Sequence, residues 1–356
     1  MKKILIFTLV LLSFIVSSYK RDNVSMVNAE NYSSEIVMDV NTNRVLYKSN
    51  ENAKKYMAST TKILTALVII ENCNLNDVVT VTKDTIGIEG SSIYLEAGEK
   101  LTVKELLYGL MLRSGNDCAE TLAVFCSQNI KNFANLMNDT AKKIGANNSN
   151  FVNPHGLHND NHYTTAYDLA LISCYAMKNQ AFREIVGTKS VDISFSTRNY
   201  KRHLVNKNKM LNEYEGSTGI KTGFTKKAGR CLVSSCYRNG MELVCVVLNC
   251  PPMFERSKAL FSSCFECYKP IKLVESDNII DFIEVVNSKD KCPIGINNDI
   301  IVPLSDEEIT KVNVVYDYDN SISKPYKKNA EIGYVKIYME NNLIFQQKIY
   351  TILDSD

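Results

Sequence analysis

The chain has 356 residues, of which 45% are apolar and 22% charged, an ordinary composition for a globular protein with room for more than one domain. Its 41 basic and 39 acidic side chains leave a formal net charge of +2, which argues against a broad surface for nucleic acid. The eleven cysteines are an odd number at irregular spacing, so we expect free buried thiols and not a disulfide framework.

The N-terminus has the pattern of an export signal. Two lysines follow the initiating methionine, an apolar run extends from Ile4 to Val16, and small and polar residues come next. We expect residues 1–29 to be a signal peptide, cleaved near Ser17 or after Ala29. An uncleaved membrane anchor is the alternative, since the run falls somewhat short of the ~20 residues of a span. The mature protein is therefore predicted to be extracytoplasmic, either secreted or associated with the cell envelope.

The next part of the chain predicts an α+β domain. A strand pair is expected at 35–39 and 44–47. Apolar residues at three- and four-residue spacing then predict helices at about 60–72, 103–112, 118–127, 132–144 and 165–177. Strands return at 220–223, 231–237 and 242–248, and a helix at 254–268 closes the unit. This order predicts an antiparallel sheet flanked by helices, with a helical subdomain inserted between its strands.

The chain changes character near Lys272. From Ile279 to Ile352, β-branched residues alternate with polar ones between Asn and Asp turns, which predicts a separate small β-sandwich. We therefore divide the chain into a leader at 1–29, an α+β domain at 30–272 and an all-β domain at 273–356.

Ser59 and Lys62 are a candidate nucleophile and base. Their spacing at the start of a predicted helix brings both side chains to one face. A lysine can take a proton from a serine if burial and a second cation lower its pKa, and the helix N-terminus favours an oxyanion there. Alone the pattern is weak, because such a pair is more often a helix N-cap and a solvated lysine.

Two further triplets strengthen the hypothesis. Ser114-Gly115-Asn116 lies in the break between two predicted helices, where a hydroxyl and an amide can point into a cleft. Lys221-Thr222-Gly223 lies on a predicted strand, where the glycine permits close backbone approach and the other two side chains can bind a carboxylate. The order S-x-x-K, S-x-N, K-T-G is the motif set of β-lactamases and penicillin-binding proteins.

Longer runs around these motifs resemble the low-molecular-mass penicillin-binding proteins that act as D-alanyl-D-alanine carboxypeptidases. The resemblance covers about residues 31–272, and the β-rich remainder resembles the C-terminal domain of that family. It implies a β-lactamase/transpeptidase-like fold. The runs that carry it are Tyr56-Met57-Ala58-Ser59-Thr60-Thr61-Lys62, Met111-Leu112-Arg113-Ser114-Gly115-Asn116-Asp117, Phe151-Val152-Asn153-Pro154-His155-Gly156-Leu157 and Gly219-Ile220-Lys221-Thr222-Gly223-Phe224-Thr225.

For the acylation step, the resemblance implies a role for four residues. Ser59 would be the acylated nucleophile, Lys62 the base that takes its proton, and Ser114 the relay to the leaving D-alanine. The backbone N–H groups of Ser59 and Phe224 would form the oxyanion hole. Water would then hydrolyse the acyl-enzyme, and no cofactor or metal is implied.

For substrate binding, the resemblance implies that Asn116 holds the amide of the acyl chain. Lys221 and Thr222 would bind the terminal carboxylate, with Gly223 beside them on the same strand. The expected partners are a peptidoglycan stem peptide and, as inhibitors, β-lactams that stall as stable acyl-enzymes.

Two departures from the family pattern affect these expectations. Many members carry an arginine at the start of the closing helix that helps to bind the substrate carboxylate, whereas alignment places Met253 there, so carboxylate recognition is expected to rest on Lys221 and Thr222. Members also usually end in an amphipathic helix that lies on the membrane, and this sequence ends after a strand-like run. A soluble or loosely attached enzyme is therefore expected.

Three alternatives remain open from the residues alone. A serine β-lactamase shares the motif set, but no E-x-x-L-N string for its second base occurs between Asn116 and Lys221. A non-catalytic wall-binding protein could keep the fold without the reaction. A metal hydrolase would need ligands such as His155, His158 and His162, although Pro154 and Gly156 interrupt any helix that would align the first two.

Overall fold

The computed structural model describes residues 33–276 and 278–355. The predicted signal peptide at 1–29 lies outside the described residues. The described chain forms an α+β domain followed by a β-rich one, as the sequence predicts. The helices of the first domain are α1 (Lys62–Asn72), α2 (Val103–Leu112), α3 (Asn116–Ser127), α4 (Ile130–Ile144), α5 (Ala166–Met177), α6 (Gln180–Gly187), α7 (Met210–Glu213) and α8 (Met253–Cys267).

The first domain is built on a five-stranded antiparallel sheet. Its spatial order is β2-β1-β9-β8-β7. Strand β9 pairs with β1 of the opening hairpin, β8 pairs with β9, and β7 forms the edge. Two short pairs, β3 with β4 and β5 with β6, lie outside this sheet. The strands are β1 (Ser34–Asp39), β2 (Val45–Ser49), β3 (Val78–Thr80), β4 (Lys100–Thr102), β5 (Ser190–Ile193), β6 (Arg202–Val205), β7 (Ser217–Thr225), β8 (Gly229–Arg238) and β9 (Met241–Leu248).

Helices cover both faces of the sheet. Strand β9 is buried along its whole length, which explains why all of its residues except Glu242 are apolar and why they do not alternate with polar ones. Helix α8 packs on β8 and β9 from one side, while α5 packs on β1 and β9 from the other. The turn between β8 and β9 has positive φ at Asn239 and Gly240, as expected for a tight hairpin with this dipeptide. The sheet thus separates two apolar cores.

The helical subdomain follows β2 in the chain and closes over one end of the sheet. Residues 62–69 of α1 are all buried, so this helix lies at its centre. Helix α2 begins with a capping box, in which Thr102 and Glu105 satisfy each other's backbone N–H groups. The predicted helices agree with the observed ones to within about two residues, whereas the sequence prediction misses α6, the short α7 and the β3–β4 and β5–β6 pairs.

The C-terminal domain holds its own core between a six-stranded sheet and a two-stranded one. The first strand, β10, pairs with β13, and the predicted boundary after Lys272 falls within it. Arg44 links the domains by donating to the carbonyl of Pro303 and the carboxylate of Glu308. The elements are β10 (Lys269–Val274), β11 (Asp281–Val285), β12 (Lys291–Gly295), β13 (Ile300–Leu304), α9 (Asp306–Ile309), β14 (Val312–Tyr318), β15 (Ser321–Ile322), β16 (Glu331–Met339) and β17 (Asn342–Thr351).

Across residues 33–276 and 278–355, none of the helices has both the length and the apolar character needed to cross a membrane. The cysteines in these ranges are all free thiols, and most are buried.

A buried ion pair ties α8 to the opening strand of the sheet. Arg256 donates from Nε and Nη2 to the Glu35 carboxylate, at 3.0 and 2.7 Å to Oε2, and also donates to the Tyr47 hydroxyl at 2.8 Å. Glu35 is only 1% exposed, so its charge depends on this partner. Removing one member of such a pair leaves an uncompensated buried charge.

Replacing Arg256 with Met is therefore expected to lower the free energy of unfolding by about 3–5 kcal/mol. Urea unfolding followed by circular dichroism measures this loss. In the double variant E35L/R256M, the loss should be smaller because no charge remains buried. The exposed pair of Arg198 with Glu96 provides the control, since Arg198→Gln should cost under about 1 kcal/mol. Equal losses for R256M and R198Q would contradict this role.

Candidate active site

Ser59 lies in a 3-10 turn, Ala58–Thr61, that leads directly into α1. Two threonine hydroxyls brace this turn: Thr60 Oγ1 donates to the Met57 carbonyl at 2.7 Å and Thr61 Oγ1 to the Ala58 carbonyl at 2.8 Å. Ala58 has a φ of +48°, an unfavourable value for a residue with a Cβ. The backbone immediately before Ser59 is therefore strained and is held by its surroundings.

The loop that carries His155, His158 and His162 packs against the Ser59 turn. His162 accepts from the Val152 N–H through Nδ1, and its Nε2 lies 2.8 Å from Thr61 Oγ1. Because burial lowers the pKa of His162 to about 3, the ring is neutral and Nε2–H donates to Thr61. A Cβ on Gly156 would lie 2.0 Å from the Ala58 carbonyl oxygen, so this position in the loop accepts only glycine. His162 therefore acts as a structural support of the Ser59 turn.

Lys62 is completely buried beside Ser59. Its Nζ lies 3.3 Å from Ser59 Oγ, 2.7 Å from Asn116 Oδ1 and 2.6 Å from the carbonyl oxygen of His155. The ring of His155 is fixed by the Leu157 N–H, donated to its Nδ1, and by Glu120 next to its Nε2. Three polar partners thus surround one amine, and two of them are carbonyl oxygens that can only accept.

The Ser114-Gly115-Asn116 loop forms the wall that faces α1. Ser114 has a φ of +65° and is 5% exposed. Asn116 accepts from Lys62 through Oδ1 and donates through Nδ2 to the carbonyl of Glu89. The next residue, Asp117, receives the backbone N–H groups of Ile93 and Leu95 and so holds the segment that contains Ser91 against this loop.

Strand β7 forms the opposite wall, at the edge of the sheet. A Cβ on Gly223 would lie 3.0 Å from the backbone nitrogens of both Ser59 and Thr60, so the glycine permits the strand to approach the nucleophile turn. Lys221 is 2% exposed and donates to the Thr222 carbonyl at 2.9 Å. Phe224, by contrast, is 61% exposed.

A cleft of about 360 Å³ opens between these walls. Ser59, Ser114, Thr222, Gly223 and Phe224, five of the residues that the motifs single out, line it together. Its other lining residues are Ser91, Lys207, Arg230, Met253 and Phe254. Among the described residues that line it there is no carboxylate. A cavity of about 440 Å³ beside Tyr56 and Lys227 contains none of the predicted site residues, so the chemistry identifies the smaller cleft as the site.

Like charges in and behind this cleft change the acidity of its lysines. Burial holds the pKa of Lys62 well below its usual value, and the charge of Lys221 lowers it further. Burial, together with the charge of Lys207, lowers the pKa of Lys221 to about 7. A lysine whose pKa is lowered in this way holds a proton less firmly than a solvated lysine, which is the direction that general base catalysis requires.

Comparison with known proteins identifies the family. The family model described as D-alanyl-D-alanine carboxypeptidase matches residues 21–251, and the model described as penicillin-binding protein 5, C-terminal domain, matches residues 268–355. The chain belongs to the D-alanyl-D-alanine carboxypeptidase family. It is a serine-type D-Ala-D-Ala carboxypeptidase, a penicillin-binding protein that acts on peptidoglycan, as the motif set predicts.

Relatives match this carboxypeptidase over almost its whole length. D-alanyl-D-alanine carboxypeptidase DacF of Bacillus subtilis is 29% identical over 97% of this chain and 92% of its own length. D-alanyl-D-alanine carboxypeptidase DacA of Escherichia coli strain K12 is 27% identical over 99% and 92%. Among solved structures, penicillin-binding protein 5 from Haemophilus influenzae has a TM-score of 0.74 at 27% identity, covering 90% of this chain and 96% of that one.

The sequence analysis did not single out Lys207, Arg230 or Asp117, and it considered His155 only as a metal ligand. Lys207 and Arg230 bring charge into the cleft, Asp117 organises one wall, and His155 contributes its backbone carbonyl to Lys62. Asp117 directly follows the S-x-N triplet, which is the one signal that could have drawn attention to it. Lys207 and Arg230 belong to no motif, and only the fold brings them to the cleft.

Replacing Gly223 with Ala tests how closely β7 must approach the nucleophile. The added methyl group would push against the backbone of Ser59, so acylation by a fluorescent penicillin should slow by about 10²-fold or more. The thermal midpoint of unfolding serves as the control for general damage. Unchanged acylation in a folded G223A protein would contradict the close approach.

Proposed function

We propose that Ser59 is the acylated nucleophile of this carboxypeptidase and that Lys62 is the base that activates it. The observation that carries the proposal is the set of three partners around Lys62 Nζ. A neutral amine has two N–H bonds and one lone pair. The carbonyl oxygens of Asn116 and His155 use the two N–H bonds, which directs the lone pair to the hydroxyl of Ser59.

In this arrangement the serine proton moves to Lys62 Nζ as Ser59 Oγ attacks the carbonyl carbon between the two D-alanine residues. The lowered pKa of Lys62 keeps its amine free to accept that proton. The negative charge that develops on the carbonyl oxygen would be received by the backbone N–H groups of Ser59 and Phe224. The N-terminal end of α1, one turn away, adds a positive potential at the same point.

Collapse of the tetrahedral intermediate requires a proton on the leaving amine of D-alanine. We assign this transfer to Ser114, whose hydroxyl lines the same cleft as Ser59. The positive φ of Ser114 fits such a role, because strained backbone at a cleft commonly serves to aim a functional side chain. Water then attacks the ester carbonyl at Ser59. Its proton passes to the neutral Lys62 amine and from there to Ser59 Oγ, 3.3 Å away, as the shortened stem peptide leaves with a free carboxylate.

Lys221 and Thr222 bind the substrate on the strand side of the cleft in this proposal. A protonated Lys221 supplies positive charge for the terminal carboxylate, and Thr222 offers a hydroxyl donor. For Asn116 we propose a role different from the one that the motif implies. Both ends of its amide already bond within the protein, so we propose that it primarily positions Lys62, and that holding a substrate amide requires exchange of its bond to Glu89.

β-Lactams are proposed to acylate Ser59 and to remain bound. Rapid hydrolysis of the penicilloyl ester needs a second base near the ester, and none of the described residues lining the cleft carries a carboxylate. The same feature argues against a β-lactamase. We further propose that the enzyme works outside the cytoplasm, where its peptidoglycan substrate lies, after export by the N-terminal segment.

Release of D-alanine from diacetyl-Lys-D-Ala-D-Ala tests the assignment of Ser59. We expect Ser59→Ala to lower kcat/KM by roughly 10⁴-fold or more, and Lys62→Gln by about 10²- to 10⁴-fold. Mass spectrometry of the penicillin-treated protein should place the adduct on Ser59. Release by S59A at the wild-type rate, or an adduct on another residue, would refute the assignment.

The proposal also predicts a pH dependence. Lys221 must be cationic to bind the carboxylate, and its pKa of about 7 means that this form is lost as the pH rises through neutrality. The kcat/KM profile should therefore fall on the alkaline side. Removing the neighbouring charge with Lys207→Gln raises the pKa of Lys221, so the alkaline limb should move to higher pH.

The same charge change at Lys209, which does not line the cleft, provides the matched control. A profile that moves equally in K207Q and K209Q would mean that net charge, and not the nearby charge of Lys207, sets the pKa of Lys221. A shift to lower pH in K207Q would contradict the proposed role of Lys221.

A further inference from the structure

We propose that Arg230 binds the C-terminal carboxylate of the substrate together with Thr222. This inference rests on the proposed function, because it assigns a further substrate contact to the same cleft. It also replaces the expectation that Lys221 and Thr222 alone perform this recognition.

Arg230 reaches the substrate side of the cleft through the register of β7 and β8. It lies directly opposite Phe224, and Thr222 is two residues earlier on β7. Side chains at opposed and diagonal positions of an antiparallel pair share one face, at about 5 and 7–8 Å respectively. An arginine at this position can therefore extend to the hydroxyl of Thr222, and all three side chains line the cleft.

The guanidinium of Arg230 is held by an aromatic contact and has no ion-pair partner among the described carboxylates. Its Cζ lies over the Phe224 ring, 5.6 Å from the ring centre, and this cation–π contact restrains the arginine side chain. None of the described carboxylates forms an ion pair with it. Its forked N–H donors, which suit a carboxylate geometrically, thus remain available to a ligand.

The closing helix offers no alternative donor at this point. Met253, the first residue of α8, lines the cleft with a thioether and is 7% exposed. Arg256, one turn further on, is committed to Glu35 and Tyr47. Among the described residues, Arg230 is therefore the arginine that lines this cleft.

Lys207 is the other exposed cation in the cleft, and it lies on the opposite wall. Its Nζ is 3.3 Å from Ser91 Oγ, beside the segment held by Asp117. The contact that holds Lys207 is therefore on the wall that carries Ser91, whereas Arg230 shares a face of the β7–β8 pair with Thr222. For this reason we assign the carboxylate contact to Arg230.

The test compares two peptides, diacetyl-Lys-D-Ala-D-Ala and the same peptide with a C-terminal carboxamide, by chromatography of the shortened product. The wild-type enzyme should prefer the free acid. In Arg230→Gln, kcat/KM for the acid should fall about 10- to 100-fold, while that for the amide changes little. The preference for the acid should therefore shrink by the same factor, and Lys221 should account for what remains.

A rescue variant and a matched control sharpen the result. Met253→Arg in the Arg230→Gln background places a guanidinium in the same part of the cleft and should restore much of the acid preference. Lys226→Gln removes one charge from the exposed turn of the same hairpin, outside the cleft lining, and should leave both substrates unaffected.

An undiminished acid preference in R230Q, or its loss in K207Q instead, would overturn the assignment of Arg230. Failure of the proposed function itself gives a different result, because the wild-type enzyme would then shorten neither peptide and would not be acylated at Ser59 by penicillin.

Discussion

The proposed mechanism depends on the burial of one amine. Lys62 is withdrawn from water at the start of a helix whose first two turns are all inside the protein. A cation in such a place is costly unless it is fully paired, and its nearest contacts are neutral groups. The neutral amine is the form that this environment stabilises, and the hydroxyl of Ser59 is the one contact able to donate to it.

Lys62 stays buried because the helical subdomain and the sheet pack closely against each other. The helical subdomain supplies the Ser59 turn and the Asn116 wall, and the sheet supplies β7. Gly223 and Gly156 lie where β7 and the loop of His155 pack against the turn. A methyl group at Gly156 would collide with the Ala58 carbonyl, and one at Gly223 would crowd the backbone of Ser59 and Thr60. The cations then act on each other across the gap: Lys221 lowers the pKa of Lys62, and Lys207 lowers that of Lys221.

The sequence predicts much of this molecule because its signals are local. The apolar spacing of α1 and α2 and the Asn239-Gly240 turn follow from neighbouring residues alone. The β5–β6 pair is short and largely exposed, so it lacks the apolar pattern on which a strand prediction depends. Contacts such as Glu35 with Arg256 join residues far apart in sequence, and no spacing rule connects them. The charges of Lys207 and Arg230 became part of the site only through tertiary packing.

The burial of Lys62 also determines when the serine can react. In an extended chain this lysine is solvated and protonated, its lone pair is unavailable, and Ser59 has the reactivity of any surface hydroxyl. The segments that lower the amine's pKa come from β7 and from the loop before Gly156, about 160 and 95 residues further along the chain. Nucleophilicity is thus a property acquired on folding. In the proposed mechanism an unfolded chain therefore has no activated Ser59, and the hydrolase becomes active only as its tertiary structure closes.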